Sequence, residues 1–300
     1  MSRVNIHKYL ASQEGDMLIF SNEGFERPKD KFKQWDVNRI VVNDYSDIVD
    51  DAINNESTFQ NFKSEPKYNS IVGMCNELQA KKWLERAEKE FPQAIESIDI
   101  FKKNDTIGNP GLWDSKKYGM ISSDTMHRIN TLCDIEKYFG GLNNKNVVEI
   151  GVGYGGLCFV LSSFYDIKSY ELVDLDNVVA LSKKYLTALN VETNSGETED
   201  FDLTISEFCI AELDNKGISQ YYKRYIQKSK SIYLMMNPVP HKWPAKRLSD
   251  FHDMLTDDFE IEAIASSAST KFGSKTLSSG SNTINFSSSF SSVPVIAGLT

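Results

Sequence analysis

Between Val147 and Gly156 the chain reads Val-Val-Glu-Ile-Gly-Val-Gly-Tyr-Gly-Gly: a short apolar run, then four glycines in six residues. An apolar run that ends in such a turn and passes into another apolar stretch is a buried strand, a tight connection and a helix start. That unit opens a parallel α/β sheet. Gly151, Gly153 and Gly156 satisfy the G-x-G-x-x-G spacing of a dinucleotide fold, so the glycines alone leave the ligand open. Glu149 narrows it. A pyrophosphate on this turn wants bare amides and no carboxylate nearby. S-adenosylmethionine has no phosphate, and its sulfonium and ammonium suit an acid near the strand end. The bland alternative is a tight connection with no ligand, which needs fewer glycines than are present.

The next apolar run, Ser169 to Val173, ends on Asp174. In a doubly wound sheet an acid there reaches a ribose diol in the crevice outside the carboxyl ends of the strands. NAD uses the same acid, so Asp174 indicates adenosine without naming the rest of the cofactor. Its alternative role is to cap the helix that follows, for which Asp176 is better placed. From here the pattern alternates. Strands are expected at 147–150, 169–174, 201–206, 231–236 and 259–265, and helices at 156–165, 177–189, 216–228 and 245–255. Val191 to Thr193 is a degenerate remnant of a further strand.

Three stretches carry a family resemblance. The first is Asn104-Asp105-Thr106-Ile107-Gly108-Asn109-Pro110 with Tyr118-Gly119-Met120-Ile121-Ser122, the second Glu149 to Gly156, and the third Phe201 to Phe208 with Glu212-Leu213 beyond. Together they resemble the sugar O-methyltransferases of bacterial surface-polysaccharide clusters, within the class I methyltransferases, from about Phe59 to Ala265. The resemblance implies a Rossmann-like doubly wound α/β sheet and S-adenosyl-L-methionine as cofactor. It also implies a sugar or glycan hydroxyl as acceptor and a donor site formed by Tyr118, Ser122, Glu149, Gly151, Gly153, Tyr154, Gly155, Gly156, Asp174 and Ser206.

The organisation expected around that core has three parts. Residues 1–100 form an extension that is helical from about Phe59, a lid or a homo-oligomer surface, with short strands at Met17–Phe20 and Arg39–Val42. Residues 101–265 form the methyltransferase domain. Asn104 to Tyr118 is read as a loop, and Ser122 or Ser123 caps a helix that Gly140-Gly141 ends. Residues 266–300 are a Ser-rich tail whose Thr283 to Ile296 is similar to the first strands of the small β-sandwich of H-type lectins and phage tail proteins. That likeness implies a fusion, of viral kind, rather than the closing hairpin of a methyltransferase; the competing reading is a flexible polar tail.

A net charge of −9 over 300 residues argues against a nucleic-acid partner, which needs clustered Lys and Arg. No run is long and apolar enough for a membrane span or a leader. Cys75, Cys133, Cys158 and Cys209 are too widely spaced for a zinc or disulfide framework and read as reduced residues of a cytoplasmic protein. Methyl transfer to a hydroxyl is an in-line displacement that needs alignment and a general base. Candidates for the base are His241, in the loop Asn237 to Pro244, and Glu207 and Glu212, beyond the 201–206 strand. The competing readings are a surface histidine and a helix-start carboxylate. Asn109 and Trp113 are assigned to the sugar side, Asp202 and His127 to structure, and no metal is called for. Two other functions stay open: a degenerate core serving as a structural or glycan-binding module, and an NAD-dependent enzyme.

Overall fold

The computed structural model describes residues 37–72, 75–193, 200–213, 215–236, 260–263 and 293–298. They fall into two compact units, one ending at Ser206 and one beginning at Glu207. The expected strand at Met17–Phe20, the helix at 245–255, His7, His241, His252 and most of the Ser-rich tail lie outside the described residues.

The larger unit begins with helices α1 (Val37–Asn54), α2 (Glu56–Phe59), α3 (Pro66–Val72), α4 (Glu77–Glu90), α5 (Pro92–Glu96) and α6 (Ile98–Phe101), with 3-10 turns at Phe62–Ser64 and Lys102–Asp105. Arg39–Val42, expected as a strand for its β-branched residues, is part of α1. Tertiary contacts outweigh the local preference. The Lys184 ammonium donates to the carbonyls of Ala52 and Ile53 in the last turn of α1, each at 3.1 Å. Asn177 reaches Ser46 Oγ at 2.7 Å and Asp50 Oδ1 at 2.8 Å.

A hairpin of β1 (Leu112–Asp114) and β2 (Met120–Ser122) interrupts what was read as a loop. It leads into α7 (Ser123–Phe139), where Ser122 is the N-cap and Gly140, at φ 67°, the left-handed stop. α4 packs on α7 through Arg86, which pairs with Asp134 at 2.7 Å and donates to Asn130 at 2.7 Å. The ring of Trp83 lies 5.2 Å from that of His127, which is buried on α7, in keeping with a structural histidine.

The alternating pattern then appears as β3 (Asn146–Ile150), α8 (Gly156–Phe164), β4 (Ser169–Val173), α9 (Asp176–Ala188) and β5 (Phe201–Glu207). β3 is parallel to β4 on one side and to β5 on the other. Val147, Val148 and Ile150 are wholly buried, as a strand covered on both faces requires. Val191 to Thr193 carries no strand. Asp176 opens α9 as its first residue. Leu175 holds the cap position, and no side chain caps the helix there.

The second unit holds α10 (Cys209–Glu212), α11 (Asn215–Arg224), a 3-10 turn at Ile226–Lys228, and strands β6 (Ser229–Met236), β7 (Glu260–Ala263) and β8 (Val293–Gly298). The expected helix at 216–228 is thus broken at Tyr225. β8 lies between β6 and β7 and is antiparallel to both. The end of the tail therefore completes this sheet, as the closing strand that its composition disguised. It does not start a separate lectin-like sandwich, because its backbone groups are already paired on both edges.

Candidate functional site

In the order β4-β3-β5 the chain crosses from β3 to β4 on one side and then returns past β3 to β5 on the other, so the winding reverses at β3. The crevice outside the carboxyl ends of β3 and β5 is therefore a topological switch point. The turn that leaves β3 there has Gly151 at φ 86°, Gly153 at 55° and Gly155 at 91°, all left-handed. At Gly155 space is tight as well: a Cβ would sit 3.2 Å from Leu186 Cγ, which would have to give way slightly. The Gly151 amide donates to the Val173 carbonyl at 2.7 Å, which binds the turn to the end of β4.

Asp174 stands at that same strand end. Its Oδ2 accepts from the Gly153 amide at 3.1 Å and its Oδ1 from the Leu175 amide at 2.8 Å. Burial pushes its carboxyl above the usual aspartate range, against the pull of these two amides. The acid read as a ribose ligand is thus tied to the glycine turn, with lone pairs left over on both oxygens. Next to it Leu175 is 50% exposed, a large apolar side chain in the open at the mouth of the switch point. Sequence reasoning passed over Leu175. The available signal was an apolar residue directly after the acid at a strand end.

Other residues of the expected donor site are occupied elsewhere. Glu149 is 2% exposed, and its Oε2 accepts from the Tyr170 hydroxyl at 2.7 Å, so its carboxylate is committed to the core between β3 and β4. Ser206 is buried and donates to the Ile150 carbonyl at 2.9 Å, joining the ends of β3 and β5. Ser122 donates to Asp105 Oδ1 at 2.6 Å while accepting from the Thr125 amide. Tyr118 donates to Glu88 at 2.7 Å. Tyr154, inside the turn, is 2% exposed and donates to Asp124, so its side chain serves the interior. Gly156 gives it room: a Cβ there would lie 2.4 Å from the Tyr154 hydroxyl.

Of the expected catalytic residues, Glu207 ends β5 and is buried. The side chain of Glu212 and the whole of His241 lie outside the described residues. Phe208, directly after Glu207, takes φ 66° and ψ −30°, an outlying backbone for a bulky residue. Its amide is held by the Met235 carbonyl at 2.7 Å. Such strain persists where the surroundings over-determine it, and it gathers at functional loops. Trp113 is buried and offers no open face for a sugar ring, whereas Asn109 is exposed and donates to Asn61 at 3.1 Å.

Among the described residues no group of three His, Cys, Asp or Glu is placed to hold a metal ion, and no helix is long and apolar enough to cross a membrane. The described cysteines are all free thiols, and burial pushes that of Cys133 up to about 12.

Fold and site together define an α/β protein of Rossmann-like order, with a glycine turn and a facing acid at the carboxyl ends of its parallel strands. No family model and no curated protein matches the chain. Solved structures do. Magnesium protoporphyrin IX methyltransferase from Synechocystis PCC 6803, solved with bound S-adenosylhomocysteine, is 14% identical over 73% of this chain and 100% of its own, at a TM-score of 0.43. An S-adenosylmethionine-dependent methyltransferase from Clostridium acetobutylicum is 12% identical over 55% of this chain and 89% of its own, at 0.41. Mitomycin 7-O-methyltransferase is 10% identical over 87% of this chain and 67% of its own, at 0.40. At these scores the fold assignment rests on the strand order described above.

Proposed function

We propose that this chain is an S-adenosylmethionine-dependent O-methyltransferase whose acceptor is a hydroxyl of a sugar or glycan. The observation that carries the donor reading is the bond from the Gly153 amide to Asp174. A dinucleotide needs such amides for its pyrophosphate, and here one already faces a carboxylate. A donor without phosphate loses nothing by that. Asp174 keeps lone pairs for the two ribose hydroxyls, and the exposed Leu175 offers an apolar face to the adenine. Glycines at positive φ let the backbone approach the donor closely.

When bound, the donor supplies an electrophilic methyl group. The chain's part is to align the acceptor and take its proton, with Glu207, Glu212 or His241 as the base. The sugar acceptor rests on the family resemblance of the three sequence stretches. With a net charge of −9, nucleic acid is a poor partner.

Calorimetric titration of the purified protein with S-adenosylhomocysteine, with NADH as control, tests the donor. Micromolar binding of S-adenosylhomocysteine is expected, with NADH silent. Asp174→Ala should weaken it by roughly 10- to 100-fold, the loss of one or two hydrogen bonds to a charged group. Unchanged affinity in that variant, or preference for NADH, would refute the assignment. With binding established, a panel of glycans assayed for methyl transfer tests the acceptor class.

A further inference from the structure

Lys63 has no motif around it, yet it is among the most unusual residues of the larger unit. It is 7% exposed. Its ammonium donates to the Asn104 carbonyl at 2.6 Å and to the Tyr185 hydroxyl at 3.1 Å. It lies 4.1 Å from the ring centre of Tyr154, 4.6 Å from that of Tyr185 and 5.8 Å from that of Phe62. The Tyr185 hydroxyl in turn donates to Asn104, and the Asn104 side-chain amide donates to Thr125 at 2.8 Å and to Tyr154 at 3.1 Å. Behind Lys63 the backbone is closed as well. Its amide donates to the Gly108 carbonyl at 2.8 Å, and a Cβ on Gly108 would lie 2.5 Å from Lys63 Cγ.

The cage joins the candidate site through Tyr154. This residue stands between Gly153 and Gly155 in the turn, and its ring packs on Lys63, Phe62 and Tyr185. We propose that Lys63 is a positioning residue of the donor site, acting through Tyr154: the glycine turn holds its donor-binding shape only while the segment Phe59–Val72 is docked with Lys63 inside the cage. The inference rests on the donor reading above.

Docking of this segment is coupled to a proton. Facing Lys63 are Asp124 and Arg128 from α7, Asp105 from the 3-10 turn at Lys102–Asp105, Tyr154 from the glycine turn and Tyr185 from α9. Tyr68 of α3 and Tyr45 of α1 stack behind Phe62, and His127 acts on Asp124. Burial, only partly opposed by Asp124 and Asp105, holds the Lys63 ammonium down to about 7, against 10.5 in water. The tyrosine hydroxyls of the cage are pushed up by burial and stay protonated. Undocking at a pH between those two lysine values therefore takes up a proton. Docking strengthens as pH rises from about 7 and is indifferent to this group below it.

The test uses the full chain as wild type, Lys63→Ala and Lys63→Met, titrated with S-adenosylhomocysteine and melted between about pH 6 and 9. Lys63→Ala empties the cage and should weaken binding by roughly tenfold. Lys63→Met refills it with an uncharged chain of similar length and should return the affinity to within about threefold, since Tyr185 still satisfies Asn104. The melting temperature of the wild type should climb relative to Lys63→Met above about pH 7. A folded Lys63→Ala that binds like wild type overturns the positioning role. Identical pH profiles for wild type and Lys63→Met overturn the proton coupling. Should Lys63→Ala not fold, Phe62→Leu, which removes the buried ring packed between Lys63 and Tyr154 and so loosens the cage, decides in its place: undiminished binding overturns the role. Failure of the wild type to bind S-adenosylhomocysteine overturns the donor reading itself and the positioning role with it.

Discussion

Asp174 is legible in the sequence as an acid at a strand end, but its bond to Gly153 is not, because the two residues meet only when β3 and β4 pair in register. Its raised carboxyl pKa sets a pH dependence. Burial favours the protonated form in the fold, so the ionised form that accepts the ribose hydroxyls disappears at a higher pH than the ordinary 3.8. Affinity for S-adenosylhomocysteine should therefore fall on acidification before that value is reached. Fold stability moves the other way in the same window, because the native state binds the proton more tightly than the unfolded chain does. Titrations at a series of pH values from neutral downward check this, and a flat profile would count against Asp174 as the ribose ligand. Gly155 is a second residue whose type the structure explains: its φ of 91° strains any side chain, and Leu186 leaves a Cβ little room. Gly155→Ala should destabilise the fold by about 1–2 kcal/mol from backbone conformation alone, read as a lowered melting temperature.

Elements were most legible where a local signal was strong. Helix α7 could be read from Ser122 at one end and Gly140 at the other, and both caps are present. Ser122→Ala removes the bond to the Thr125 amide and should cost about 1 kcal/mol, with a further loss from Asp105, whose Oδ1 gives up one of its two hydroxyl donors and keeps Thr125. Denaturant unfolding measures it. The pairing of α4 with α7 had no local signal. Arg86 and Asp134 are 48 positions apart, and their side chains keep only 10% and 4% of their exposure. The carboxylate and the Glu90 side chain hold the Arg86 guanidinium firmly charged. Arg86→Met should cost about 3–5 kcal/mol, because Asp134 stays buried without its guanidinium. Changing an exposed partner such as Lys116, beside Asp114, to alanine should leave the unfolding midpoint essentially unmoved. Arg39–Val42 was misread for the same reason that Arg86 was invisible. Asn177 and Lys184 anchor the later turns of the same helix at Ser46, Asp50, Ala52 and Ile53, and no local window around Arg39–Val42 contains those partners.

At the scale of the whole chain, charge is the property the composition sets directly. With an isoelectric point near 5.1 the protein should associate most readily close to that pH and least above neutrality, which light scattering across pH would record. By itself the sequence determined the alternation of strand and helix from Asn146 onward, the left-handed glycine turn and the acid that ends the following strand. Each of these follows from residues within one turn or one strand of each other. Tertiary structure alone decided which of the expected donor residues keep free polar atoms at the switch point. It drew Tyr154 and Ser122 into a buried network, committed Glu149 to Tyr170 and left Leu175 in the open. It also placed Val293–Gly298 as an antiparallel strand paired on both sides, although a serine-rich stretch leads into it. The physical reason is common to all of these. A side chain's hydrogen-bond partner and a strand's ladder partner are chosen by packing between segments far apart in the chain, and such a choice leaves no periodicity to read.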